Sequence, residues 1–394
     1  MDSVTTLMRR AVRLPLDKLV RRLPRGLLVH ALPQGAPRVR LSTTKAVEQP
    51  NSRRIAQRLA DAYGAAKADE RHSRISSPDN DLWTGLLNRE FRELVGILES
   101  RDLSSLTRYL QNLGHEFTWF GGVTLSIDGF TSERGAQEVA LSYLDKLVCL
   151  AEALGVLPLE NPEQLSSRLN MYMDVDEICQ RIEERIGFSI VPPGGALPVT
   201  GLTSRSGPLH YRYFNSLYAA LRISEILSAK GSVCEYGGGL GLVAYYANRL
   251  GHADYSIFDL PLVNVVAGYF LLNALGEDAV RLFGEDRVHP AVKVLPYWRC
   301  VDADPESFML SVNQDSFPEI DPVLVGHYLA QIKRTTTRYF LSINQEAQAS
   351  MGSRNQNSVP ALVAEHGGFS RVYRMKYWIR EGYAEELYAI DRAS

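Results

Sequence analysis

The sequence predicts an α/β fold, a doubly wound and mostly parallel sheet closed by an antiparallel hairpin and preceded by an all-helical N-terminal domain. Three observations lead there. From residue 208 onward helical stretches alternate with short apolar runs, the pattern of strands joined by crossover helices. One of those runs, SVCEY, passes straight into GGGLG at 237–241. The last two apolar stretches, RVYRMKYWI and EELYAID, have no helix between them and therefore pair antiparallel.

Residues 1–45 carry ten Lys/Arg and only Asp2 and Asp17 as acids, with Leu and Val between the arginines at roughly helical spacing. Such a leader suits a basic tail, a helix docked on the body, a targeting segment or a peripheral membrane contact. Residues 46–80 are polar with little apolar weight, so 1–80 reads as leader and linker. From 81 to 190 apolar residues recur at i, i+3, i+4 and i+7 in LLNREFRELVGILESRD, LSSLTRYLQNLGHEF and GAQEVALSYLDKLVCLAEALG, a helical domain. Ser132 or Thr131 is placed to cap the third of these helices. The intervening FTWFGGVTLSIDGF, residues 117–130, reads as a packed aromatic loop, with a sugar-stacking platform as the sharper alternative.

Pro and Gly break all periodicity at 189–207, a domain boundary or a lid, and the sheet domain takes 191–394. Pro208 is placed to open a helix that feeds the first strand. The expected order is strand 232–236, helix 240–250, strand 254–259, helix 262–275, strand 292–296, strand 308–313, helix 321–334, strand 338–344 and helix 358–366. The hairpin strands 371–379 and 385–391 follow.

Bulk composition narrows the function. Lys+Arg 43 against Asp+Glu 45 gives a net charge of −2, so no global field recruits nucleic acid. The closest pair of the four cysteines, Cys149 and Cys179, is 30 positions apart, which fits neither a zinc pair nor a disulfide framework and points to a reducing, cytoplasmic setting.

In a doubly wound sheet, ligands bind beyond the carboxyl ends of the strands, where a strand turns into its helix. Gly237, Gly238, Gly239 and Gly241 let that turn run tight and bring a ligand against bare backbone. Eighteen positions on, Asp259 ends the next strand, ahead of Leu260, where a carboxylate can accept two hydrogen bonds from a ribose diol. An adenosine-containing cofactor follows, and Glu235 supplies an acceptor for a cationic amino group. Gly239-x-Gly241-x-x-Ala244 also satisfies the dinucleotide fingerprint, so a nicotinamide-dependent oxidoreductase stays open on these residues.

EYGGGLG at 235–241, FDLP at 258–261 with the following GYFLL, SVNQDSFPEI at 311–320 and SIN at 342–344 together resemble the sugar O-methyltransferases of bacteria. The likeness runs from about residue 186 to the C-terminus, and it departs from the family's Ser-Phe-Gln-Glu-Met run at Ser316-Phe317-Pro318-Glu319-Ile320. The resemblance implies a Rossmann-like class I methyltransferase sheet of seven strands with a closing antiparallel pair. It also implies S-adenosyl-L-methionine as cofactor, held by Glu235, the four glycines, Asp259 and Leu260, and a hydroxyl on a sugar, glycan or glycosylated metabolite as acceptor.

For such a reaction the protein aligns acceptor and donor and removes a proton. Only loops after strands open on the cofactor edge, which sets His252, His289 and His366 aside as structural and leaves His327 inside a helix. Asp315 is the first candidate for general base or acceptor anchor and Glu319 the second, both also placed to cap the helix near 321, with Asn313 beside the cofactor. His210 is a candidate base, and Arg212 a clamp for the methionine carboxylate, at the start of the helix that feeds the first strand. A divalent metal on Asp302, Asp304 and Asp315 is an alternative route to an alkoxide. The rivals are N-methylation of an amino sugar or amine, hydride transfer, and an inactive cofactor-binding scaffold. A small-molecule or glycan acceptor and a second copy of the chain are the expected partners.

Overall fold

A computed structural model of the chain describes residues 35–44, 51–73, 75, 91–113, 133–161, 168–194, 196–197, 199–228, 230–286, 290–351 and 354–392. The basic leader up to 34, Thr131, Ser132, His289 and the aromatic stretch 117–130 lie outside these residues. The described chain divides into two compact units, one holding its residues of 35–43, 133–191 and 199–214, the other those of 44–113, 192–197 and 215–392.

The first unit is built on the helices Glu133–Ala153 and Val175–Ile186. Asp174 starts the second of these by accepting the Asp176 and Glu177 N–H groups, and Gly187 ends it at φ 84°. Leu41–Thr43 pairs antiparallel with Thr200–Leu202, the latter inside the stretch 189–207 read as a domain boundary or a lid. At Gly201 an added Cβ would come within 2.5 Å of the Leu209 backbone, so the close approach there admits glycine alone. Leu209 bridges back to Leu202, and the helix expected from Pro208 therefore begins only at Tyr211, running to Leu227.

The second unit contains an eight-stranded sheet. Its strands are β1 Val233–Tyr236, β2 Tyr255–Asp259, β3 Val280–Leu282, β4 Val292–Pro296, β5 Phe308–Gln314, β6 Thr336–Gln345, β7 Phe369–Lys376 and β8 Tyr383–Ile390. The order is β7-β8-β6-β5-β1-β2-β4-β3, parallel throughout except that β8 runs antiparallel to both its neighbours. Buried on both faces, the central strands read as continuous apolar runs, and all four residues of β1 are buried. Seven strands were expected; the eighth is the three-residue edge strand β3, too short to stand out as an apolar run.

A second correction concerns the presumed linker. Residues Ser52–Glu70 form a helix that buries Ile55, Ala56, Leu59, Ala60, Tyr63 and Ala66 on one face. That face lies on helix Pro261–Leu275, with Leu59 filling the space a side chain at Gly268 would need, 2.8 Å from the position of its Cβ. Arg58 fastens the contact, donating to both carboxylate oxygens of Glu285 at 2.6 and 2.7 Å, to the Val280 carbonyl at 3.1 Å and to Glu277 at 3.2 Å. Three of the six residues on the buried face are alanines, so its apolar character is weak in sequence. Helices Arg92–Ser100 and Leu103–Gln111 belong to this unit too, and no separate helical domain spans 81–190 among the described residues.

Candidate functional site

The strand order reverses at β1, whose neighbours are β2 on one side and β5 on the other. A crevice opens beyond the carboxyl ends of the strands at such a point. The glycine turn stands there, with Gly237 at φ 75°, Gly239 at φ 56° and Gly241 at φ 75°, left-handed conformations that a side chain would strain. Gly241 then enters helix Leu242–Arg249.

Much of the space the glycines vacate is taken by the protein itself. A Cβ on Gly237 would meet the Ser316 side chain, one on Gly238 would lie 2.7 Å from Ile257 Cγ2 and 3.1 Å from Glu235 Oε2, and one on Gly241 would lie 2.9 Å from Leu271. At these three positions the absent side chain lets the turn press onto its own supports.

Those supports form a polar network. Asn313, fully buried at the end of β5, donates to the Tyr236 carbonyl at 2.8 Å and to Ser316 Oγ at 2.6 Å. Its own carbonyl oxygen accepts from Asn344 at 2.9 Å. Asn313 was expected beside the cofactor; its amide is instead spent on holding β1 and the Ser316 loop together. Asp259 accepts the Gly239 N–H at 2.8 Å and the Leu260 N–H at 2.7 Å, so the end of β2 clasps the turn directly. Burial raises the Asp259 carboxyl to about 6, against the pull of those two N–H groups. Glu235 is 1% exposed and accepts from Tyr255 at 2.9 Å. Burial lifts its carboxyl to about 8; the Tyr255 hydrogen bond opposes that shift and the charge of Asp259 adds to it.

Asp315 follows β5 at φ 65°, a conformation uncommon outside glycine. It accepts from Arg380 at 2.6 Å and from the Tyr383 hydroxyl, and the Arg380 guanidinium stands 4.1 Å over the Tyr383 ring. An arginine and a phenol thus hold the Asp315 carboxylate in place. Glu319 is half-buried on the same loop, and the cap of helix Pro322–Thr335 is Asp321.

His210 and Arg212 belong to the first unit. His210 is 1% exposed, its Nε2 lies 3.3 Å from the Tyr143 hydroxyl and its Nδ1 accepts the Arg212 N–H at 3.2 Å. Arg212 Nε donates to the Tyr211 hydroxyl at 3.0 Å. These partners make a packed aromatic helix start. His252 is buried against Ser224, 3.0 Å away, and burial lowers its pKa. The metal trio does not assemble: Asp302 pairs with Arg299 at 2.9 Å, Asp315 with Arg380, and among the described residues no three His, Cys, Asp or Glu converge to hold an ion.

Sequence reading had no means of finding Arg380 and Tyr383, which reach Asp315 across 65 and 68 positions of chain. Nor did it single out Tyr255, although that residue's place at the start of a strand parallel to β1 puts it beside Glu235.

No protein-family model and no curated protein matches the chain. Among solved structures, similarity extends to the PH0226 protein of Pyrococcus horikoshii OT3, with TM-score 0.36 and 10% identity over 46% of this chain and 92% of that one. It extends also to the magnesium protoporphyrin IX methyltransferase of Synechocystis PCC 6803 with bound SAM, with TM-score 0.33 and 12% identity over 46% and 82%. A glycopeptide N-methyltransferase complexed with sinefungin gives 0.34 and 12% over 45% and 94%. Scores this low do not establish a shared fold, and the fold rests on the strand order itself. That order defines a Rossmann-like α/β sheet whose switch point lies at the glycine turn.

Proposed function

We propose that the chain is an S-adenosylmethionine-dependent methyltransferase acting on a hydroxyl of a sugar, glycan or glycosylated metabolite. One observation carries the reading: a glycine turn at the switch point of the sheet, flanked by Glu235 and Asp259, neither of which has a basic partner among the described residues. The reversed strand β8, inserted between β6 and β7, agrees with the closing pair the family resemblance implies. The sugar acceptor rests on that resemblance alone.

The residues present fit the cofactor. Each Asp259 oxygen accepts one backbone N–H and keeps lone-pair capacity for a ribose hydroxyl. Glu235 lies against Gly238, where it would ionise against a bound cation and offers an anionic group no countercharge. This electrostatic sign separates the reading from its nicotinamide rival, since a dinucleotide brings a diphosphate to the turn. When bound, S-adenosylmethionine supplies an activated sulfonium methyl. The chain's part is to orient: Asn313, Ser316 and Asn344 hold the turn, and Asp315, fixed by Arg380 and Tyr383, stands in the loop after β5 as an anchor for an acceptor hydroxyl.

The test is thermal stabilisation of the full chain. S-adenosylhomocysteine should raise Tm and NAD should not; the reverse would retire the reading. Mass spectrometry of glycans and metabolites from cells with and without the protein should then show a gain of one methyl on a sugar hydroxyl.

A further inference from the structure

The chain treats its buried acids unequally. Glu385, fully buried, is met by Arg222 at 2.7 Å and by the hydroxyls of Tyr218 and Tyr373 at 2.9 and 2.7 Å. Glu386, 2% exposed, is met by Arg371 and Arg374 at 3.2 and 3.0 Å, and the half-buried Asp315 by Arg380. At the glycine turn the rule fails. Glu235 has the Tyr255 hydroxyl, Asp259 has two backbone N–H groups, and among the described residues no Arg, Lys or His reaches either.

Removing a carboxylate from water without a countercharge is costly, and the group keeps its proton instead. Two such carboxyls on adjacent strands oppose each other's ionisation, and the titratable groups around Glu235 are Asp259 and Tyr255 from β2 and Cys234 on its own strand. None of them is a cation. The missing charge has to come from a ligand.

We propose that a cationic ligand at the glycine turn displaces the proton Glu235 carries in the ligand-free protein, so that binding releases one proton to solvent. The proposal rests on the methyltransferase reading and names a control on that site: the cationic end of the substrate is bound by the ionised turn. Burial holds Glu235 near 8, so at pH 7 its carboxyl is largely protonated and has a proton to give.

Isothermal titration of the full chain at pH 7.0 in phosphate and in Tris gives the proton count from the difference in apparent enthalpy. S-adenosylmethionine should release about 0.9 proton per site, and its affinity should rise about fifteenfold between pH 6.5 and 8. 5′-Methylthioadenosine, which carries the ribose but neither the sulfonium nor the amino acid, should bind without proton release. Glu235→Gln should abolish the release, and Tyr255→Phe, which removes the hydrogen bond favouring the ionised form, should move it to higher pH. S-adenosylmethionine binding without proton release by the unaltered protein would overturn the proposal while leaving the methyltransferase reading intact. Absence of binding by both nucleosides would overturn that reading and the proposal with it.

Discussion

Glu235→Gln should flatten the pH dependence of stability. The Glu235 carboxyl titrates near 4.5 in the unfolded chain and near 8 in the folded one. Below pH 4.5 both states hold the proton, and the residue costs the fold nothing. Between 4.5 and about 8 the unfolded chain ionises while the folded one does not, so stability is lost as pH rises; above about 8 the loss is complete and constant. With a pKa difference of one worth about 1.4 kcal/mol, the full effect is on the order of 5 kcal/mol, of which about 4 falls between pH 5 and 8.5. Glutamine keeps an oxygen for the Tyr255 hydroxyl and cannot ionise. Urea unfolding at pH 5, 7 and 8.5 therefore should show the unaltered protein falling toward alkaline pH by about 4 kcal/mol more than the variant. Asp259, raised to about 6, contributes a smaller fall of the same sign in both proteins. Parallel stability curves for the two proteins would refute the reasoning, because they would mean that Glu235 ionises freely where it stands.

Asp259→Ala should reduce stabilisation by S-adenosylhomocysteine by at least 1.4 kcal/mol, a tenfold loss of affinity read by titration, since it removes both the diol acceptor and the clasp on Gly239. Gly237→Ala forces φ 75° on an alanine and drives its Cβ onto Ser316, and should cost about 2–4 kcal/mol in urea unfolding. Arg58→Ala removes the guanidinium that ties helix Ser52–Glu70 to Glu285, Glu277 and the Val280 carbonyl, leaving Glu285 the Leu282 N–H and Val280 the Arg281 guanidinium, and should cost about 1–3 kcal/mol, with faster hydrogen exchange confined to Ser52–Glu70 and the strand it covers. Asp315→Asn should leave S-adenosylhomocysteine binding within twofold, because the Asp315 carboxylate bonds to Arg380 and Tyr383 of the hairpin after β7; a tenfold loss measured by titration would place it at the cofactor instead.

What could be read from the sequence was what local pattern determines. Gly237, Gly239 and Gly241 announce their left-handed backbone because few other residues adopt it, and the distance from that turn to Asp259 spans one crossover, so the pair came as a unit. The parallel strands other than β3 were legible from their buried apolar runs, and the final hairpin from the absence of a helix. Helix Ser52–Glu70 was not, because a face half made of alanine carries little contrast and its partner, helix Pro261–Leu275, lies two hundred residues away. The same distance hid the fate of the polar candidates. Asn313 and Asp315 stand at a strand end where chemistry is commonly found, and only the folded chain shows that Tyr236, Ser316, Arg380 and Tyr383 already engage them. The absence of a cation near Glu235 was likewise invisible, since it is a property of every side chain that packs there.

The most direct measurement is a crystal structure of the chain with S-adenosylhomocysteine. The ribose hydroxyls should lie within hydrogen-bond distance of Asp259, with the amino acid end along Gly237–Gly241. The nucleoside bound at any other edge of the sheet, or a turn left empty at saturating ligand, would contradict the account.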